Sequence, residues 1–325
     1  MPIAPDAPRA ETAPTAPTSE GPARRERLET LVARVGDYVE RFESAMEAAV
    51  LDENYVQLLR QPCCRESRNP GEDPLLAWEE ARTRRPPKGV LARRQLRSEV
   101  LLVRIAGGMQ VGYRDVYEVE GKTVQDRKER VRKLFLSGTE ESALELGRLA
   151  TESARFNLGR LLRTTNLPTL PLLYLVPAMH PRLHFSRGGE AEVGGKATTI
   201  LDFREDASPT LAASARGFDM PARGRAWVEP ATGAIRRIEL RYVAGALHYA
   251  PVRRVMNVWF GEDPRIEVLV PTRMWEWYEK IPIGDELPAS ASQRAWPADL
   301  EGLATYSNLR LFSVETSDEV GEPAN

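Results

Sequence analysis

The sequence predicts an α+β fold: a curved antiparallel β-sheet, an incomplete barrel, with a long N-terminal helix and a helical insert covering one face. Three observations predict it. Apolar residues recur at helical spacing from Arg24 to Asp52. A second helical pattern occupies Asp126 to Gly159. After His180 the chain reads as strands separated by turns. Strands joined by short loops pair antiparallel, and broad sheets twist and curl. There is no strict βαβ alternation, which argues against a doubly wound fold.

Each element follows in order. Residues 1–22 are rich in Pro, Ala, Thr and Ser; that composition buries nothing and favours a disordered tail. In the first helix Leu28, Leu31, Val35, Tyr38, Phe42, Met46, Ala49 and Val50 mark one apolar stripe, which needs a surface to lie against. Asn54 to Leu59 alternates like a strand. Gln61 to Gly89 is irregular and punctuated by Pro62, Pro70, Pro74, Pro86 and Pro87. The basic residues that follow, Arg82, Arg84, Arg85, Lys88, Arg93, Arg94 and Arg97, read as a solvated charged loop. Val100 to Ile105 is a buried strand, and Val111 to Val119 runs into a hairpin turn at Glu120-Gly121.

The helical insert spans residues 126–179. It breaks at Ser137-Gly138, restarts with an N-cap at Thr139, and ends in a short helix over Thr169 to Met179 with Pro168 and Pro171 near its start. Strands are then expected at Arg182–Arg187, Lys196–Arg204, Thr210–Arg216, Gly224–Glu229, Ala234–Val243, Leu247–Phe260, Arg265–Glu279 and Ala304–Val314. Between two of them Pro230 presets a turn and Gly233 takes its positive-φ position. The whole reads as one domain over residues 23–316, with a second disordered tail at 317–325.

Composition narrows the function. The 325 residues carry 45 basic and 47 acidic side chains, a net charge of −2. That balance supplies no field to draw the chain to nucleic acid. No apolar run reaches the roughly 18 residues of a membrane-spanning helix, and the start has no charged-then-apolar signal pattern. Residues 1–22 fit two readings: the tail of an intracellular, cytoplasmic protein, or the linker that follows a removed signal peptide in a periplasmic or secreted one. Cys63 and Cys64 are the only cysteines. Being adjacent they cannot staple the fold, and they read as free thiols in a loop.

No catalytic motif appears. His180 and His184 would share a strand face but lack a third ligand, and His248 is isolated, so neither a metal nor a cofactor is expected. Gly-rich phosphate loops and nucleophile elbows are missing from the sequence. On a strand Met274, Glu276 and Tyr278 share one face and Trp275 and Trp277 the other. An inward Glu276 needs an arginine partner, expected on a neighbouring strand. Arg155, Asn157, Arg163, Thr164, Thr165 and Asn166 cluster at the end of the insert and read as capping and sheet-docking residues. The residues expected to face a ligand are Phe156, Trp227, Tyr242, Met274, Glu276 and Tyr278; no catalytic residue is assigned.

Several phrases resemble an uncharacterised family of bacterial proteins, often predicted to be exported. They are Tyr38–Phe42 with Glu53-Asn-Tyr-Val-Gln57, Gly112 to Gly121, Glu152-Ser-Ala-Arg-Phe-Asn157, Arg163-Thr-Thr-Asn-Leu-Pro-Thr169 and Ala304-Thr-Tyr-Ser-Asn308. More loosely, the segments Trp227 to Ile238 and Tyr306-Ser-Asn-Leu-Arg310 look like the LolA-like lipoprotein carriers. That resemblance implies an incomplete barrel whose helices plug a greasy concave face. It also favours the exported reading of residues 1–22. Three functions follow: a non-catalytic envelope protein holding an apolar or lipid-like ligand between sheet and helices; a hydrolase using carboxylates such as Asp115 or Glu276; or a structural or interaction protein with a filled core. The protein partner is left open.

Overall fold

The apolar stripe of the first helix forms α1, Pro22–Met46. Leu28, Leu31, Val35, Tyr38, Phe42 and Met46 are all buried along one side of it. The computed structural model describes residues 22–47, 49–61, 89–104, 110–127, 129, 142–159, 163, 166–213, 217–243, 253–281 and 298–311. The helix stops short of the expected Asp52. Ala49 and Val50 instead open β1, Ala49–Arg60, where pairing on both sides of the strand outweighs local helical spacing.

From β1 the chain steps outward through β2, Val90–Arg104, β3, Gln110–Val119, and β4, Lys122–Thr123. It re-enters at the opposite edge as β5, Leu183–Val193. It then returns through β6, Lys196–Glu205, β7, Ala222–Val228, β8, Ile235–Val243, β9, Arg253–Gly261, β10, Val270–Ile281, and β11, Ala298–Leu311. The strand order is β4-β3-β2-β1-β11-β10-β9-β8-β7-β6-β5 in one eleven-stranded sheet. Neighbouring strands pair antiparallel throughout. The sheet is not closed: β4 and β5 are its two edges, and the fold is the expected curved half-barrel with helices.

This order constrains the connection between β4 and β5, which must pass from one edge of the sheet to the other. It carries α2, Ser142–Ala154, and two 3-10 helices, Leu170–Leu175 and Pro177–Arg182. α2 lies along β3, where β4 pairs only with Glu118 and Val119. The Arg114 backbone N–H donates to Ser153 Oγ at 3.0 Å, so α2 occupies that edge at Arg114. Leu149 packs there with Val111 and Tyr113. The chain then turns onto the inner face, where Leu172, Tyr174 and Leu175 join the core with α1.

α1 is seated on the second half of the sheet. Phe42 meets Phe260 edge-on with ring centroids 6.2 Å apart, and the Leu269 N–H donates to Tyr38 Oη at 3.0 Å. Arg34 and Arg41 donate to the carbonyls of Pro230 and Thr232 at 2.8 and 3.3 Å, which fastens the β7–β8 turn to the helix. Gly233 has a φ of 77° in that turn, and a Cβ there would overlap the Arg34 carbonyl.

Three local expectations change. Thr169–Met179 is not α-helical: Pro171, Pro177 and Pro181 each lack an N–H, and the chain forms short 3-10 turns. Thr210–Ala213 makes no strand beyond a single bridge from Ala213 to Asp219. There the Asp219 carboxylate accepts from Ser208 Oγ and the Thr210 N–H, an alternative to ladder pairing. Arg93, Arg94 and Arg97 lie on β2, not in a loop. Both tails, Cys63, Cys64, Thr164, Thr165, His248 and residues 130–141 fall outside the described residues.

Gly233→Ala should lower unfolding stability by about 1–3 kcal/mol, measured by urea titration. Gly195→Ala shares a positive φ of 74° but faces open space, so it should cost less. Equal losses would mean that the turn is not seated against α1.

Candidate functional site

A strand that alternates polar and apolar residues normally turns the polar ones to water. On β1 the opposite holds: Glu53, Tyr55 and Gln57 share the inner face and are at most 2% exposed. Each finds its partners on other elements. Glu53 accepts from Arg114 Nε at 2.5 Å and Nη2 at 2.8 Å on β3. It also accepts from Ser98 Oγ at 2.7 Å on β2 and from Tyr306 Oη at 3.0 Å on β11. The Arg114 guanidinium lies over the Tyr55 ring, 4.6 Å from its centroid, and donates to the Asn166 carbonyl at 2.6 Å.

Glu276 on β10 holds the second half of the network. It accepts from Tyr55 Oη and, at 3.0 Å, from Tyr278 Oη. Its arginine comes from the insert rather than from a neighbouring strand: Arg163 Nη1 stands 3.9 Å from Glu276 Oε1. Gln57 Oε1 accepts from Arg163 Nη2 and from the Leu158 N–H at 2.8 Å, which fixes the amide's orientation. Asn166 Nδ2 donates to Tyr55 Oη at 3.3 Å and to Asn157 Oδ1 at 3.1 Å. Gly302 makes room for this meeting, since a Cβ there would stand 2.8 Å from Tyr55 Oη and closer still to the Glu276 carboxylate.

Two carboxylates and two guanidinium groups thus share a buried interior. Burial opposes the charge on Arg114, but the Glu53 carboxylate outweighs it and holds the guanidinium protonated above its usual range. Burial, reinforced by Glu276, pushes the Tyr55 hydroxyl far up; burial and Glu53 do the same at Tyr306. At pH 7 these phenols are neutral donors, not nucleophiles. Arg163 Nε and Nη1, Arg114 Nη1 and Gln57 Nε2 have no hydrogen-bond acceptor among the described residues.

The other half of the inner face is apolar. Leu201, Phe203, Ala226, Ile238, Leu240 and Met256 face α1 and the 3-10 turns. Tyr174 stacks on Phe203 at 6.2 Å and donates to Tyr242 Oη at 3.3 Å. Burial raises the Tyr242 hydroxyl to about 12.

The expected ligand-facing residues separate into two faces. Met274, Glu276, Tyr278 and Tyr242 share the inner face, and Phe156 packs at the margin of the core. Trp227 does not join them. Its register partner is Arg237, whose guanidinium lies 4.2 Å from the Trp227 ring and 5.1 Å from that of Trp259 on the outer face. Trp275 and Trp277 are on that face too, stacked at 6.4 Å. Asp115 also faces outward, paired with Arg127 at 2.7 Å, so Asp115 and Glu276 do not converge. His180 bonds the Leu175 carbonyl at 2.9 Å, while His184 is exposed on β5. Among the described residues no group of three or more His, Cys, Asp or Glu is placed to hold a metal.

No family model and no curated protein matches the chain. It is similar to a structure described as an outer membrane lipoprotein-sorting protein domain from Vibrio parahaemolyticus. That likeness has 8% identity and a TM-score of 0.33, over 87% of this chain and 94% of that one. It is similar also to a DUF1329 family protein from Desulfovibrio piger, at 11% identity and a TM-score of 0.34, over 92% and 95% of the two chains. At such distances what the inner face does has to be argued from its own side chains.

Sequence reading missed Glu53, Arg114 and Gln57. The available signal was the run Glu53-Asn-Tyr-Val-Gln57, which puts two polar groups on the same face as a tyrosine inside a strand flanked by Leu51 and Leu58-Leu59. Asn157, Arg163 and Asn166 do dock on the sheet.

Removing one member of the Glu53–Arg114 pair strands the other charge. Glu53→Leu or Arg114→Met alone should each cost about 3–5 kcal/mol. The double variant should cost clearly less than their sum, by denaturant unfolding. Additive losses would mean that the pair is not coupled.

Alkaline pH tests the tyrosines. Their folded-state values lie above the unfolded value of about 10, so their contribution is complete below pH 10. It is lost as pH rises above that, because only the unfolded chain releases the protons. Phenolate absorbance of Tyr55 and Tyr306 should appear only together with unfolding; a smooth ionisation of all tyrosines in the folded protein would contradict their burial.

Proposed function

We propose that this chain is a non-catalytic binding protein of the cell envelope that holds an apolar or lipid-like ligand between the inner face of its half-barrel and the helices across it. One observation carries the reading. Of seven methionines in the chain, Met46, Met220, Met256 and Met274 lie in the layer between the sheet and its cover. Methionine is unbranched and polarisable, and it lets an apolar surface repack around ligands of different shape. The cover suits the same role. α1 and the 3-10 turns contribute no strand to the sheet, so they can shift without breaking a ladder. The envelope location is part of this proposal, and it draws on the resemblance to exported proteins. No helix among the described residues is long and apolar enough to cross a membrane.

A second reading, an interaction protein with a filled core, is favoured by the fit of the cover. Tyr174, Leu175, Val39, Ile238 and Leu240 have no exposed surface. Two measurements separate the readings. A ligand-holding protein should bind a neutral apolar dye saturably and should release an amphiphile detected by mass spectrometry of an organic extract. Failure of both would remove the binding reading and leave the filled core.

A further inference from the structure

The inner face has a second polar place, away from the Glu53–Glu276 network, and it differs in kind. In the network each carboxylate is matched to a guanidinium. At the start of β9, Arg254 is not matched. Its register partners are Tyr242 on β8 and Tyr278 on β10, both inner-face residues, so Arg254 points to the same side. No carboxylate among the described residues lies within ion-pair distance of it. Among the described residues Arg254 Nη1 donates only to the Met220 sulfur at 3.8 Å, a weak acceptor, and its buried Nε has no partner there. A guanidinium held partly out of water without an anion is costly.

A second donor stands beside it. The Tyr174 and Tyr242 hydroxyls share one hydrogen bond at 3.3 Å, which uses one of their two hydrogens, and the other has no acceptor among the described residues. The nearby acid, Glu205, is already occupied. It accepts from the Leu211 and Ala222 N–H groups and faces Arg182 at 3.9 Å. Arg254 and Tyr242, directly opposed across two strands, therefore present donors and a positive charge at the margin of a greasy surface. A water molecule would accept but would bring two further donors. An oxyanion accepts only, and it also neutralises the charge.

We propose that Arg254 and Tyr242 form a headgroup site for an anionic amphiphile, binding its carboxylate or phosphate while the apolar tail lies along the inner face. This rests on the binding reading above and names the ligand class for it. The arginine stem and Met220 give the first carbons of the tail an apolar wall.

The test uses the full chain with a neutral dye, N-phenylnaphthylamine, and an anionic fluorescent fatty acid, cis-parinaric acid. Laurate, dodecyl phosphate and dodecanol compete as carboxylate, phosphate and uncharged versions of one tail. At least one of the anionic competitors should displace parinaric acid about tenfold to a hundredfold better than dodecanol; which one does identifies the headgroup. Arg254→Gln should abolish that preference and leave the neutral dye's affinity within about twofold, while Arg254→Lys should keep most of the preference. Thermal melting of each variant checks that it folds, and the wild-type competition needs no variant. If the dye binds but all three competitors act equally, or Arg254→Gln keeps the preference, the headgroup site is wrong and the apolar binding reading stands. If neither probe binds, the binding reading itself falls, and this site with it.

Discussion

Glu53 carries a charge inside an eleven-stranded sheet, three strands from its β4 edge, with no exposed side-chain surface, and most of the architecture around it answers that fact. An isolated carboxylate in such a place is strongly disfavoured. It is held by Arg114 in a two-pronged contact and by hydroxyls from β2 and β11. Arg114 in turn is held by the carbonyl of Asn166 and, through its backbone, by Ser153 of α2. The pair therefore ties four strands to the insert, which the crossing from β4 to β5 brings over the sheet. Apolar packing would tolerate many insert positions; this pairing accepts few.

The inner face is divided as a result. Around β1, β3 and β10 it is polar and bound to the insert by directional bonds. Around β6 to β9 it is apolar, rich in methionine and aromatic residues, and covered by α1 and the 3-10 turns. Rigidity belongs to the first half and adaptability to the second. The outer face has its own order, with Arg237 between the rings of Trp227 and Trp259 and Arg273 against Trp259 from the far side. That arrangement uses the tryptophan faces for the protein's own arginines.

Legibility varied with the range of the interactions. α1, the Glu120-Gly121 hairpin and the Gly233 turn rest on local periodicity and turn chemistry, and they were readable. Boundaries failed where a partner strand competed with local preference, as at Ala49 and Val50. The strand expected at Thr210 failed because Asp219 offers its backbone another partner. In the site, the shared face of Met274, Glu276 and Tyr278 was readable from a period of two, as was the need of Glu276 for an arginine. Trp227 was misplaced because its face depends on the register between β7 and β8, which includes a bulge just beyond it.

By itself the sequence determined the class of the fold and the order of most of its elements, because those follow from spacing along the chain. It also contained Glu53, Tyr55, Gln57, Arg114, Asn157, Arg163, Asn166 and Tyr306 of the network within the phrases Glu53–Gln57, Gly112–Gly121, Glu152–Asn157, Arg163–Thr169 and Ala304–Asn308, while Glu276, Tyr278 and Ser98 lie outside them. Only the tertiary structure decided that these phrases meet. Glu53 and Arg114 are 61 positions apart, and Tyr55 and Glu276 are 221 apart. Nothing local selects one arginine for one glutamate. That choice was made when the insert crossed an open sheet and the buried charges had to be paired where they lay.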